Sequence, residues 1–405
     1  MWTASILLTA LAFSPGGDTP GADIEGRCRD LREAAVRDVQ AGKMPWQTFR
    51  EYGPRLLRLA EEDPAHPASL PAVLAAGEYG SRCLDTCTYD AATNSPLMER
   101  VFGALAAGRL DDERVGRFCL TLARLPSHAR ESFLREVARA SKDRSVEGRA
   151  CLALAELLKV KLACAESLPE MMRADGGARA QATWGQEYLD HLLACDQGAL
   201  SGEVEALLER VVRDFREVAF VRGTGETPVW RATAEKDVAA GKTLGAVAGA
   251  DLDELRSLAP GCLAPEIEGR DADGVAFKLS DQRGKVVLLS FSGNWCGPCR
   301  SMYPFERDLV SRLEGKPFAL LGINTDEDVA TLRRSLDSRA ITWRCWWDGA
   351  PGGPISSRWN VRAWPTIYLI DARGVIRAKD PSDEALGGLI DGLIAEAKAR
   401  PGGTR

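Results

Sequence analysis

Two cysteines two residues apart, Cys296 and Cys299 in "FSGNWCGPCRSMYP" (Phe291 to Pro304), are the pair in this 405-residue sequence whose type and spacing most directly suggest chemistry. They follow a continuous apolar run, "KVVLLSFS" (Lys285 to Ser292), and open a stretch patterned as a helix. A cysteine at a strand end and helix start meets unpaired backbone N–H groups and the positive end of the helix dipole, and both stabilise a thiolate. Cys299, one turn further in, gains less. One nucleophile and one resolving thiol is the asymmetry a dithiol exchanger needs. Gly297 lets a partner chain approach, and Pro298 starts the helix without needing the N–H it lacks.

Other uses of the pair fit less well. A four-ligand zinc site needs two more Cys or His, and no histidine follows His191. The same absence removes a Cys-His hydrolase built within this region. Haem attachment needs a histidine directly after the second cysteine, where Arg300 stands. A structural disulfide remains as the bland alternative, although so short a spacing closes an easily reduced ring. No metal is expected elsewhere. His66, His128 and His191 are scattered without ligand spacing, and Cys83 and Cys87 in "RCLDTC" read as structural or incidental thiols, too far apart on a regular helix for an unstrained disulfide.

The elements around the pair define the organisation. From Pro260 onward the pattern alternates: two short strands around Asp273-Gly274, the buried strand at Lys285–Ser292, a helix from Cys299, and a second buried strand at 318–326. A helix at 328–339, a hairpin from Thr366 and a closing helix at 383–398 complete it. Together they predict an α/β domain over 260–400, a central mixed sheet with helices on both faces. Residues 23–221 read as helix after helix, an all-α domain in which a tetratricopeptide-like array is suggested but no fixed repeat is found. Residues 222–259 read as a Gly-rich linker with short helices. Residues 1–22 read as a signal peptide and polar spacer, because Ala4–Phe13 is apolar, too short to span a bilayer, and followed by "SPGGDTPGAD". That predicts an extracytoplasmic location; the missing basic residue before the apolar stretch leaves a cytoplasmic one as the alternative. The formal charge of −6 gives no global basic field to attract nucleic acid.

"NWCGPCRSMYP", with "RAWPTIYLIDARGVI" downstream and "LSDQRGKVVLLSF" upstream, resembles the TlpA-like branch of the thioredoxin fold, thiol-disulfide oxidoreductases usually found outside the cytoplasm. The resemblance covers about a third of the chain. It implies that Pro365 is a cis-proline facing Cys296, that the Trp364 backbone bonds a bound peptide, and that Trp295, Gly297 and Pro298 share the client surface. It implies protein thiols or disulfides as clients, an upstream electron donor or acceptor, and no cofactor beyond the dithiol. Two positions depart from the pattern. Ser290 stands where thioredoxin has an acid, and Met302 stands where this branch often has Glu. Either acid would handle the second thiol's proton, which leaves the base open; Glu306 shares the helix of Cys299 but reads as a solvated carboxylate. The alternatives are a thiol peroxidase, for which the Trp295 context is wrong, and a protein-binding module whose helical domain carries the main function.

Overall fold

The computed structural model describes residues 23–43, 45–82, 91–381 and 383–399. The apolar stretch at 4–13 and the pair Cys83 and Cys87 therefore lie outside the described residues. Two compact units divide between Val247 and Ala248.

The first unit is helical. At its centre, the 32-residue helix Arg144–Asp175 packs against the helices Glu113–Cys119, His128–Ala140 and Gln197–Asp214. Asp143 caps it by accepting the Ser145 and Val146 N–H groups at 2.9 Å. The described helices of this unit vary from 7 to 32 residues, unlike the even helix lengths of a tetratricopeptide-like array.

The segment 222–259, expected to be a linker, is built into the units on either side of the division. Glu78 is fully buried and accepts the Thr224 hydroxyl at 2.7 Å and the Thr227 N–H at 2.9 Å, while its carbonyl accepts from Trp230 Nε1. A carboxylate in such a place needs those donors, and they tie the turn into the first unit. Its Gly and Thr content signals the turn, whereas the buried acid that holds it lies about 150 residues away in the chain.

The second unit begins within the helix α1 (Leu244–Ser257) and continues with strands β1 (Glu268–Arg270) and β2 (Ala276–Lys278), an antiparallel pair. Next come β3 (Val286–Ser292), α2 (Gly297–Arg312), β4 (Phe318–Asn324), α3 (Val329–Asp337), β5 (Arg344–Trp347) and α4 (Pro354–Arg358). Then β6 (Thr366–Ile370), β7 (Ile376–Lys379) and α5 (Asp383–Ala399) end it. The five-stranded sheet has the order β5-β4-β3-β6-β7, with β3, β4 and β5 parallel and β6 and β7 antiparallel. All seven residues of β3 are buried, as its continuous apolar run predicts.

Alternation along β3 sorts the two faces. Val286 and Leu288 pack with Tyr303 and Leu309 of α2, Leu332 of α3 and Leu386 and Ile390 of α5. Val287, Leu289 and Phe291 pack with Trp346, Trp359, Tyr368 and Leu258 on the other face, where Phe277 stacks on Trp346 at 4.0 Å. Helices α2, α3 and α5 thus share one face, and the β1–β2 hairpin, α4 and Leu258 just after α1 cover the other. Strand β5 and helix α4 have no counterpart among the elements expected from sequence, because four or five residues carry too little periodicity to register.

Helix α1 is more than a spacer. Asp251 is fully buried and holds Asn360 at 3.0 Å and Arg362 at 2.9 Å, and Glu254 holds Lys379 and Asn360. These carboxylates fix the segment that leads into β6. A fragment beginning at Ala248 is expected to fold by itself. One beginning at Pro260, which loses both carboxylates and buried Leu258, is expected to be less stable by roughly 2–4 kcal/mol. Urea denaturation of the two fragments checks this, and equal midpoints would contradict the role given to α1.

Candidate active site

The chain leaves the sheet at Ser292 and enters α2 at Gly297. Cys296 and Cys299 are joined by a disulfide, with Cα atoms 5.3 Å apart. Cys296 is the N-cap of α2: its Sγ accepts the Cys299 N–H at 3.1 Å, and its carbonyl accepts the Arg300 N–H. The sulfur thus occupies the place of a capping oxygen, against an N–H that would otherwise be unpaired. Cys296 is 4% exposed and Cys299 1%. Gly297 and Pro298 are exposed beside them, and a Cβ added to Gly297 would meet nothing within 4 Å. That side of the disulfide faces open space.

The loop is pinned from below by a residue whose role sequence reasoning missed. Asp326, buried just beyond β4, accepts the Asn294 N–H and the Asn294 side-chain amide at 2.7 Å each, and Asn324 Nδ2 at 2.9 Å. Ser335 donates to Asn294 Oδ1 at 3.0 Å. Trp295 Nε1 donates to the Thr325 carbonyl at 3.0 Å, while the Thr325 N–H and hydroxyl both reach the Ser292 carbonyl. Gly293 is required here, because a Cβ would lie 2.4 Å from Trp295 Nε1. "INTD" carries no spacing signal for this; the partners come from three separate segments.

The Trp364-Pro365 bond is cis and directly precedes β6, which pairs with β3. The Trp364 ring sits edge-on to Trp295, with centroids 5.4 Å apart. The structure therefore gathers the expected site residues, Trp295, Cys296, Gly297, Pro298, Cys299, Trp364 and Pro365, at one end of the sheet.

Beneath the dithiol helix lies a carboxylate that the sequence led us to expect in solvent. Glu306 is 1% exposed, and neither of its oxygens makes a hydrogen bond of full geometry, the Ser290 hydroxyl being the one donor close enough to act on it. On α2 the buried residues are Cys299, Tyr303, Glu306 and Leu309, so Glu306 and the inner cysteine share the core-facing side. The row of residues running across the sheet there is small: Ser290 pairs with Gly322, and Gly322 with Cys345. A Cβ on Gly322 would come within 2.5 Å of Cys345 Sγ. Burial pushes the Glu306 carboxyl up to about 7, offset only in part by the Ser290 hydroxyl. Burial, with the Glu306 charge nearby, also pushes the Cys345 thiol well up, which keeps it an inert neutral group.

Other titratable groups lie outside this site. His128 and His191, distant in sequence, meet in the first unit with ring centroids 4.6 Å apart, a juxtaposition their spacing conceals. Lys161 Nζ lies 2.9 Å from His191 Nε2 and occupies that nitrogen. Among the described residues no group of three or more His, Cys, Asp or Glu is placed to hold a metal, and no helix is long and apolar enough to cross a membrane.

Residues 260–379 match the model of the AhpC/TSA family. The chain is similar to the thiol-disulfide oxidoreductase ResA of Geobacillus kaustophilus (strain HTA426), at 29% identity over 124 residues, covering 31% of this chain and 70% of that protein. It is similar to the thioredoxin-like protein YneN of Bacillus subtilis (strain 168), at 30% identity over 117 residues, covering 28% and 66%. Among solved structures, the thioredoxin domain of a thiol-disulfide oxidoreductase from Bacteroides vulgatus aligns with a TM-score of 0.32 at 26% identity, covering 34% of this chain and 99% of that one.

The raised carboxyl has a consequence for stability. Its folded-state pKa lies above the ordinary 4.5, so its contribution is complete at acid pH and is lost as pH rises through about 7. Glu306→Gln removes that dependence. The wild-type stability minus that of the variant is expected to fall by about 3 kcal/mol between roughly pH 4.5 and pH 8. Chemical denaturation of both oxidised proteins across that range reads it; a flat difference would mean that Glu306 is solvated.

Proposed function

We propose, from the premise that the C-terminal third is a thioredoxin-like domain of the AhpC/TSA family, that the protein is a thiol-disulfide oxidoreductase acting on protein clients through Cys296 and Cys299. The observation that carries this is the position of the disulfide, with one sulfur capping a helix N-terminus beside open space and the other enclosed one turn further in. Starting from the reduced form, the Cys296 thiolate attacks a client disulfide. An S–S bond forms between Cys296 and the client, and the client's other sulfur leaves as a thiolate. The Cys299 thiol then gives up its proton and attacks Cys296 Sγ. The Cys296–Cys299 disulfide forms, the client is released with its second thiol, and two electrons have passed to it. Run backwards, the same steps oxidise a client dithiol. An upstream thiol couple resets the pair in either direction.

Glu306 is the group we assign to the Cys299 proton. It supplies from α2 the carboxylate that Ser290 cannot, and a pKa of about 7 lets it accept or return a proton near neutral pH. The proposed location is outside the cytoplasm, supported by the apolar stretch at 4–13 and by the use of an exchangeable disulfide. No cofactor is assigned, because the dithiol itself carries both electrons.

Trapping tests the assignment of the thiols. Cys299→Ser is expected to accumulate mixed disulfides with clients, and Cys296→Ser is not; equal trapping by the two variants would overturn it. Insulin reduction without peroxide consumption on one sample separates this function from the thiol peroxidase and binding-module alternatives. For the proton, Glu306→Gln is expected to slow resolution of the mixed disulfide at least about tenfold near pH 7, with the deficit shrinking towards pH 9 as the thiol ionises unaided. Adding Ser290→Asp to that variant is expected to restore much of the rate. Stopped-flow resolution rates against pH check this, and superimposable profiles would remove Glu306 from the mechanism.

A further inference from the structure

A third tryptophan stands with the two already described. Strands β3, β4 and β5 are parallel and β6 runs against them, so Trp295 after β3, Trp347 at the end of β5 and Trp364 just before β6 all fall at the same end of the sheet. Trp347 Nε1 donates to the Asp326 carbonyl at 2.8 Å, and Trp295 Nε1 donates to the carbonyl of the preceding residue, Thr325. Consecutive carbonyls of one loop therefore pin both indoles by their polar edges. That loop is itself fixed to the active-site turn by Asp326 and Asn294. Both residues stay partly in solvent, Trp295 51% and Trp347 39% exposed.

Exposed indoles held in one orientation lose little conformational freedom when something covers them, and they bury a large apolar area. What covers them is constrained by the dithiol. Any client that brings a sulfur to Cys296 must lie across this end of the sheet, so the aromatic face is continuous with the site of exchange. We infer that Trp347 is a specificity-determining residue that, with Trp295, seats a bulky apolar side chain flanking the reactive cysteine of an extended client segment. The substrates are then unfolded or flexible protein segments with an aromatic or branched aliphatic residue near the cysteine, and not small polar disulfides. This inference rests on the dithiol exchange proposed above.

The experiment compares three disulfides with the full-length reduced protein: glutathione disulfide, a short peptide disulfide with Phe or Leu beside its cysteine, and the same peptide with Gly there. The wild type is expected to react with the apolar peptide at least about tenfold faster than with the Gly peptide. Trp347→Ala is expected to remove most of that preference while leaving the glutathione disulfide rate within about twofold, which also reports an intact fold, and Trp347→Phe is expected to retain it. An undiminished preference in Trp347→Ala, or an equal loss on all three substrates, would overturn the inference while leaving the dithiol function standing. No reaction of the wild type with any of the three would overturn the exchange reading and this inference with it.

Discussion

A strand buried on both faces has to become a helix within four residues, and the site depends on how that is done. All seven residues of β3 are enclosed by side chains from two cores, so the chain cannot drift into solvent gradually. It turns where the strand ends and exposes the N–H groups of a new helix, which need acceptors. Cys296 meets that need with sulfur. The same geometry that satisfies the helix end favours the thiolate form of this cysteine over Cys299. Asp326 makes the turn a single conformation by holding Asn294 through both its backbone and its side chain.

The second constraint lies under the helix. A carboxylate at Glu306 is tolerated because Ser290, Gly322 and Cys345 form a row of small side chains across three strands, which leaves room for it. With only the Ser290 hydroxyl to offset burial, the neutral acid is the stable form until the pH approaches 7. In the proposed mechanism, the proton of Cys299 is handled from position 306 on the facing helix, where Ser290 on the strand offers only a hydroxyl. Met302, one turn nearer the cysteines, packs against the core.

What was legible in the sequence followed from local pattern. The Cys-Gly-Pro-Cys turn, the apolar run of β3 and the X-Pro step before β6 are each carried by a few neighbouring residues, and each stands where expected. Glu306, seven residues after Cys299 on one helix, read as a solvated carboxylate, whereas the structure buries it with Cys299, Tyr303 and Leu309. Whether an acid on that face reaches water was set by Gly322 and Cys345, from two other strands, and no local pattern carries that. Asp326, Trp347 and the α1 carboxylates were hidden for the same reason: the partners that give them their roles are 21 to 125 residues away. Composition likewise marked 222–259 as a break in texture, but not that Glu78 and Asn360 would claim its two halves.

The unequal standing of two sulfurs separated by one helical turn is the claim on which the rest stands. Timed alkylation of the reduced protein with iodoacetamide, followed by mass spectrometry of the peptide containing both cysteines, measures it directly. Across roughly pH 5 to 8, Cys296 is expected to be modified well before Cys299, with the gap narrowing as the pH rises towards the ordinary thiol range of about 8.5. Modification of both at the same rate throughout, or of Cys299 first, would contradict the account.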